Sequence, residues 1–142
     1  MKAMIGLIGG LTMGPISEAS GIEINVTGID VDRGGNLIVF ISGEDGFPKF
    51  HATALQTQTQ SQLSTAMSFT FDIPQQEIAI KILHDEDEDG KVTKNWTGIY
   101  PAEGLGFSKK QKVSLTGAPV FKKSKLVRSE FESGVNIEMV YP

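Results

Sequence analysis

The amino-acid sequence predicts an all-β fold, an antiparallel β-sandwich of about seven strands. Three observations carry this. Apolar residues recur at every second position in several short stretches, as in Met67, Phe69, Phe71 and Ile73, which is the period of a strand with one buried face. Turn residues punctuate these stretches, with sixteen glycines along the chain. No stretch shows the periodicity of a convincing helix.

The elements follow in order. Ile22, Ile24 and Val26 alternate with Glu23, Asn25 and Thr27 as a half-buried strand ending at Gly28. Asp32-Arg33-Gly34-Gly35-Asn36 is turn chemistry and predicts a hairpin into the branched, apolar run of residues 37–41, a central strand. From Gly43 to Ser64 the pattern dissolves. Phe47, Phe50, Ala54 and Leu55 suit one short amphipathic turn over the sandwich edge, and the Gln/Thr tract of residues 56–62 suits a loop or an edge strand. Alternation returns in Met67 to Ile73 and again in Ile78, Ile80 and Ile82, with Pro74-Gln75-Gln76 between them as an expected hairpin. Residues 112–115 and 125–131 are short strand candidates on either side of Gly117-Ala118-Pro119. In the last strand Val135, Ile137, Met139 and Tyr141 face one way and Asn136 and Glu138 the other.

A chain of 142 residues is the size of one domain and can bury a core without disulfides or a structural metal. Having no cysteine, it is excluded from thiol catalysis and thiolate zinc sites. The net charge of −4 argues against nucleic acid as a partner, because phosphate binding needs a basic footprint. Lys109, Lys110, Lys112, Lys122, Lys123, Lys125 and Arg128 lie in a segment with no acid between them. This reads as a solvated face, with an anionic partner as the alternative.

At the N-terminus, Lys2 precedes an apolar, uncharged run over residues 3–16, and Ser17-Glu18-Ala19 places small residues at the two positions a signal peptidase reads. The expectation is a signal peptide over residues 1–19 and a single β-sandwich domain over residues 20–142, secreted or periplasmic. The rival reading is a buried first strand or helix, and Gly6, Gly9, Gly10, Gly14 and Pro15 oppose the helix. The run is too short to span a bilayer as a mature helix and no later stretch approaches it, so no transmembrane segment is expected.

The densest chemistry lies from His84 to Gly106. Asp85-Glu86-Asp87-Glu88-Asp89-Gly90 fits D-x-[DN]-x-[DN]-G, the first half of a calcium loop. Carboxylates at alternate positions of a tightly curving backbone converge on one point, and the glycine permits the turn that brings the Lys91 carbonyl to it. Oxygen-only ligands favour Ca²⁺ over Zn²⁺ or Cu²⁺. An EF-hand has a bidentate Glu at its twelfth position, which here is Trp96. Closure therefore falls to other oxygens, Thr93, Asn95 or Glu103. The site set is Asp85, Asp87, Asp89, Lys91, Thr93 and Glu103, with a solvated acidic turn and an Mg²⁺ site as the competing readings.

His84 reads as a strand-end histidine bonded to a loop carbonyl, since imidazole is a poor partner in an oxygen-ligated site. His51 stands alone in a loop and supports no site. Trp96, Tyr100 and Phe107 read as core plugs or as an aromatic platform for a sugar. Asn25-Val26-Thr27 and Asn95-Trp96-Thr97 fit the N-glycosylation pattern.

The chain also resembles a known family. Asp45-Gly46-Phe47-Pro48, Phe71-Asp72-Ile73-Pro74, Ile78-Ala79-Ile80, the His84-Asp85-Glu86-Asp87-Glu88-Asp89-Gly90-Lys91 run, the run from Gly98 through Glu103-Gly104-Leu105-Gly106-Phe107 to Ser108, and Pro119-Val120-Phe121 are similar to the exported bacterial family known as domain of unknown function 2141. The resemblance spans about residues 22–141. It implies a secreted or periplasmic protein, a transthyretin-like or immunoglobulin-like sandwich, and no assigned activity. Members usually carry Asp near the place of Thr93, so the closing ligand is left open.

Three functional readings result. The first is an exported, calcium-stabilised binding or structural module of the cell envelope with an envelope protein or a glycan as partner, and not an enzyme. The second is a carbohydrate-binding module with a calcium-ordered loop. The third is a hydrolase using His84 with Asp85 or Glu103, for which no nucleophile is evident.

Overall fold

A computed structural model describes residues 21–93, 101–115 and 117–142. The expected signal peptide, and Asn95, Trp96 and Tyr100, lie outside the described residues. The fold is all-β, with eight strands in two sheets among the described residues: β1 Gly21–Thr27, β2 Asn36–Ser42, β3 Gln56–Gln60, β4 Met67–Asp72, β5 Glu77–Asp85, β6 Leu105–Phe107, β7 Leu126–Val127 and β8 Val135–Glu138. One sheet has the order β4-β1-β8; the other has β3-β2-β5-β6, with β7 pairing the start of β5. Helix among the described residues is confined to short turns, including α1 Phe121–Ser124 and α2 Arg128–Phe131.

Both expected hairpins are corrected. β1 and β2 lie in different sheets, as do β4 and β5. The alternation of Ile22, Ile24 and Val26 matches that of Leu37, Val39 and Ile41 because both sets enter one core from opposite sheets. A turn between two alternating strands can pair them or carry the chain across a core, and the side-chain pattern is the same in either case. The pairing is antiparallel except for β1 with β8, which run parallel, Ile24 opposite Val135 and Val26 opposite Ile137.

The Gln/Thr tract is an edge strand. Gln56 Nε2 donates to the Asp72 carbonyl and Gln58 Nε2 to the Thr70 carbonyl, both at 2.6 Å, so β3 is tied to the backbone of β4 in the other sheet. The strand expected over residues 125–131 reduces to β7 followed by α2, which buries Phe131 completely. In the stretch expected as a strand over residues 112–115, Ser114 alone bridges, to Gly117. β6 is a strand the sequence reading did not contain; at three residues it is too short for a period to show.

β5 organises the molecule, because it is buried on both faces from Ile78 to Asp85. Its even positions Ile78, Ile80 and Ile82 enter the core shared by the two sheets. On the odd side Leu83 packs with Phe40, Leu105 and Phe107 in a second apolar cluster, against which Phe47, Ala54, Val92 and Val113 rest. Phe47 and Ala54 thus cover the outer face of the sheet, while Phe50 and Leu55 of the expected amphipathic turn remain exposed. Period-two geometry then places Lys81 and Asp85 on one face and His84 on the other.

Candidate functional site

The end of β5 feeds directly into the acidic loop. Asp85 closes the strand opposite Asn36 of β2 and is 1% exposed. From there the chain turns back on itself: Glu88 N–H donates to the Asp85 carbonyl at 3.3 Å, Glu88 takes a positive φ of 59° and Gly90 one of 75°. No atom lies within 4 Å of a β-carbon built on Gly90, so glycine is favoured there by its conformation and not by lack of space.

This curvature brings one side-chain oxygen each of Asp85, Asp87 and Asp89 within 4.8 Å of one another. Asp85 accepts from the N–H groups of Asp89 (3.2 Å) and Gly90 (2.7 Å), Asp87 Oδ2 from the Thr93 hydroxyl (2.9 Å), and Asp89 Oδ1 from the Lys91 N–H (2.8 Å). Burial pushes the Asp85 carboxyl up to about 6, assisted by a hydrogen bond with Asp87, while the Gly90 and Asp89 N–H groups pull it down. The Thr93 hydroxyl and the neighbouring aspartates lower Asp87.

Glu103 is placed differently. It is 3% exposed, and its two oxygens accept backbone N–H groups of the loop, Oε2 from Glu86 (2.7 Å) and Oε1 from Thr93 (2.8 Å), with Asp87 N–H at a longer 3.5 Å. Thr93 is further held by Ala102 N–H on its carbonyl at 2.6 Å. Among the described residues the converging group is Asp85, Asp87 and Asp89, and Glu103 with Thr93 clamps the loop that carries them.

His84 lies on the opposite face, fully buried. Its Nε2 donates to the Gly34 carbonyl at 2.6 Å, the loop-carbonyl bond expected for it, and Nδ1 meets the Tyr141 hydroxyl at 2.6 Å. That hydroxyl also accepts the Asp30 N–H at 2.9 Å, so Asp30, Tyr141, His84 and Gly34 form one network. Both nitrogens serve the fold. A β-carbon at Gly104 would sit 2.3 Å from the Tyr141 ring. Gly104→Ala is therefore expected to lose roughly 2 kcal/mol in urea unfolding, as overpacked sites do. A change under 0.5 kcal/mol would refute this contact.

Lys81, which the sequence reading did not single out, is joined here to His51, which it set aside as standing alone. Lys81, at an odd position of β5, is 4% exposed. Its ammonium donates to the Pro48 carbonyl (2.9 Å) and to His51 Nε2 (2.8 Å). The His51 ring stacks on Phe40 with centroids 4.1 Å apart, and its Nδ1 donates to the Gly90 carbonyl at 3.0 Å. His51 does not stand alone, but ties the buried lysine to the acidic loop. Burial lowers Lys81 to about 8; burial and then the Lys81 charge lower His51. The signal in the sequence was a lysine amid isoleucines. Phe107, the described member of the aromatic trio, is a buried core plug.

A family model described as "Uncharacterized protein conserved in bacteria (DUF2141)" matches residues 24–134. No curated protein and no solved structure matches the chain.

Proposed function

The chain belongs to the DUF2141 family, and on that premise we propose that it is an exported, calcium-stabilised β-sandwich that acts as a binding or structural module of the cell envelope. The observation carrying this reading is the convergence of Asp85, Asp87 and Asp89 within 4.8 Å at the end of a strand buried on both faces. A rigid strand fixes the first ligand, and the Glu103 clamp holds the loop in the curvature that gathers the other two. Hard carboxylate oxygens match the preference of Ca²⁺ for flexible oxygen coordination over the stricter octahedron of Mg²⁺.

The sandwich reading is supported by one core filled from both sheets; transthyretin-like and immunoglobulin-like arrangements both satisfy it. Export is supported by the apolar run after Lys2 and by Ser17-Glu18-Ala19. Among the described residues no helix is long and apolar enough to cross a membrane.

Thermal unfolding of residues 20–142 in EGTA, in Ca²⁺ and in Mg²⁺ tests the ion. With free Ca²⁺ at ten times its Kd, linkage adds roughly 1.4 kcal/mol, with a smaller effect of Mg²⁺. Asp87→Ala should remove the increment. A midpoint that Ca²⁺ leaves unmoved, or one that moves equally in the variant, would reject the assignment.

A further inference from the structure

Beside the Lys81–His51 pair the outer face of the second sheet opens into a cavity of about 350 Å³, within the range of small-ligand sites. Among the described residues its charged lining is all of one sign: Lys81 with Lys49 and Lys91, and no carboxylate. This is unusual in a chain with a net charge of −4. The remaining wall is largely apolar, with Leu105, Phe107 and Val113 prominent.

Lys81 is the informative member. An ammonium carries three N–H donors, and two are satisfied, by the Pro48 carbonyl and His51 Nε2. The third has no acceptor among the described residues, and none of the four ion pairs there involves Lys81. Burying a cation without a counter-charge is costly, and proteins that keep one either neutralise it or present it to an anion. The His51 ring does not neutralise it; its other nitrogen is committed to donating to the Gly90 carbonyl, so it offers Lys81 a lone pair and no charge.

We propose that this cavity binds a small organic monocarboxylate, its carboxylate on the Lys81 ammonium and its apolar body against Leu105, Phe107 and Val113. The head group follows from the donors. The one desolvated ammonium is matched by a single negative charge, while Lys49 and Lys91 are exposed and solvated by water. A phosphate ester would call for several converging donors or an arginine fork. The apolar wall excludes a wholly hydrated anion as the best occupant. The depressed Lys81 value agrees with a cation that lacks its partner. The cavity adjoins the acidic loop through Lys91 and the His51–Gly90 bond, but its head group is the Lys81 ammonium and it needs no metal ion.

Hexanoate and benzoate are the probes, with hexanol, benzyl alcohol and inorganic phosphate as controls, each titrated calorimetrically into residues 20–142 in EGTA. Binding is expected for the two carboxylates, at least tenfold weaker for the alcohols and for phosphate. Lys81→Met should weaken the carboxylates at least tenfold. Val113→Glu, which brings a competing carboxylate to the same wall without touching Lys81, should do likewise. Alcohols binding as tightly as the acids would show an apolar cavity without an ion site. Phosphate binding more tightly than the acids would show a different head group. Carboxylate affinity retained in Lys81→Met, or absent in the unsubstituted protein, would overturn the proposal.

Discussion

Glu103→Ala should lower the stability of the ion-free protein by about 4 kcal/mol, more than loss of any single aspartate of the loop. The side chain is 3% exposed and supplies the acceptors for the Glu86 and Thr93 N–H groups. Hydrogen bonds to a charged partner contribute about 1.5–3 kcal/mol each, and their loss leaves donors with no acceptor. Repulsion between Glu103 and Asp85, one of the causes that raise Asp85, offsets part of this but involves a single pair. Asp87→Ala should cost far less in EGTA, because this carboxylate is exposed and gives up chiefly the bond it accepts from the Thr93 hydroxyl, which with the neighbouring aspartates holds it below the usual carboxylate range. Urea unfolding of both variants, with amide exchange at Glu86 and Thr93, makes the comparison. If Glu103→Ala stays within 0.5 kcal/mol of the parent and both amides remain protected, the clamp is wrong.

Lys81→Met should raise stability at pH 7 by on the order of 3 kcal/mol. Burial lowers the ammonium from its ordinary 10.5 to about 8, and each pKa unit corresponds to roughly 1.36 kcal/mol. Because the folded value lies below the unfolded one, both states are protonated below about pH 8 and the full penalty applies there. Between about pH 8 and 10.5 the unfolded chain holds more protons, so the stability of the parent rises with pH across that window. The methionine variant should lack this rise. Urea midpoints at pH 7, 8, 9 and 10 test both statements, and a variant no more stable than the parent at pH 7 would remove the buried-cation argument. The same variant loses the proposed carboxylate site, so stability and binding should change in opposite directions, the usual relation for a strained functional group.

The strands that alternate cleanly in sequence are strands in the fold: Ile22 to Val26, Met67 to Phe71, and Ile78 to Ile82 each bury one face in the shared core. Alternation reports which face of a strand is apolar, and water enforces that whatever the partner. It does not report the partner. The turn residues after Thr27 and after Ile73 therefore suggested hairpins where the chain crosses between sheets, and β8 lies parallel beside β1 across the length of the chain. Likewise residues 125–131 read as a strand, although their apolar side chains serve a two-residue strand and a helical turn.

What the sequence by itself determined was the all-β class, the family, and the spacing Asp85, Asp87, Asp89, Gly90, because each is a property of residues close along the chain. Local backbone geometry converts that spacing into convergence. What only the tertiary structure decided was everything that depends on neighbours far along the chain. Glu103, weighed as a closing ligand, holds the loop N–H groups. His84 closes a network between Gly34 and Tyr141. Lys81 and His51, thirty residues apart, meet beneath a cavity. The reason is that burial is a collective property. An odd position on β5 faces solvent or a second core according to whether loops from elsewhere cover it, and here residues near Phe47, Val92 and Val113 do so, which encloses a lysine that the strand alone would have left in water.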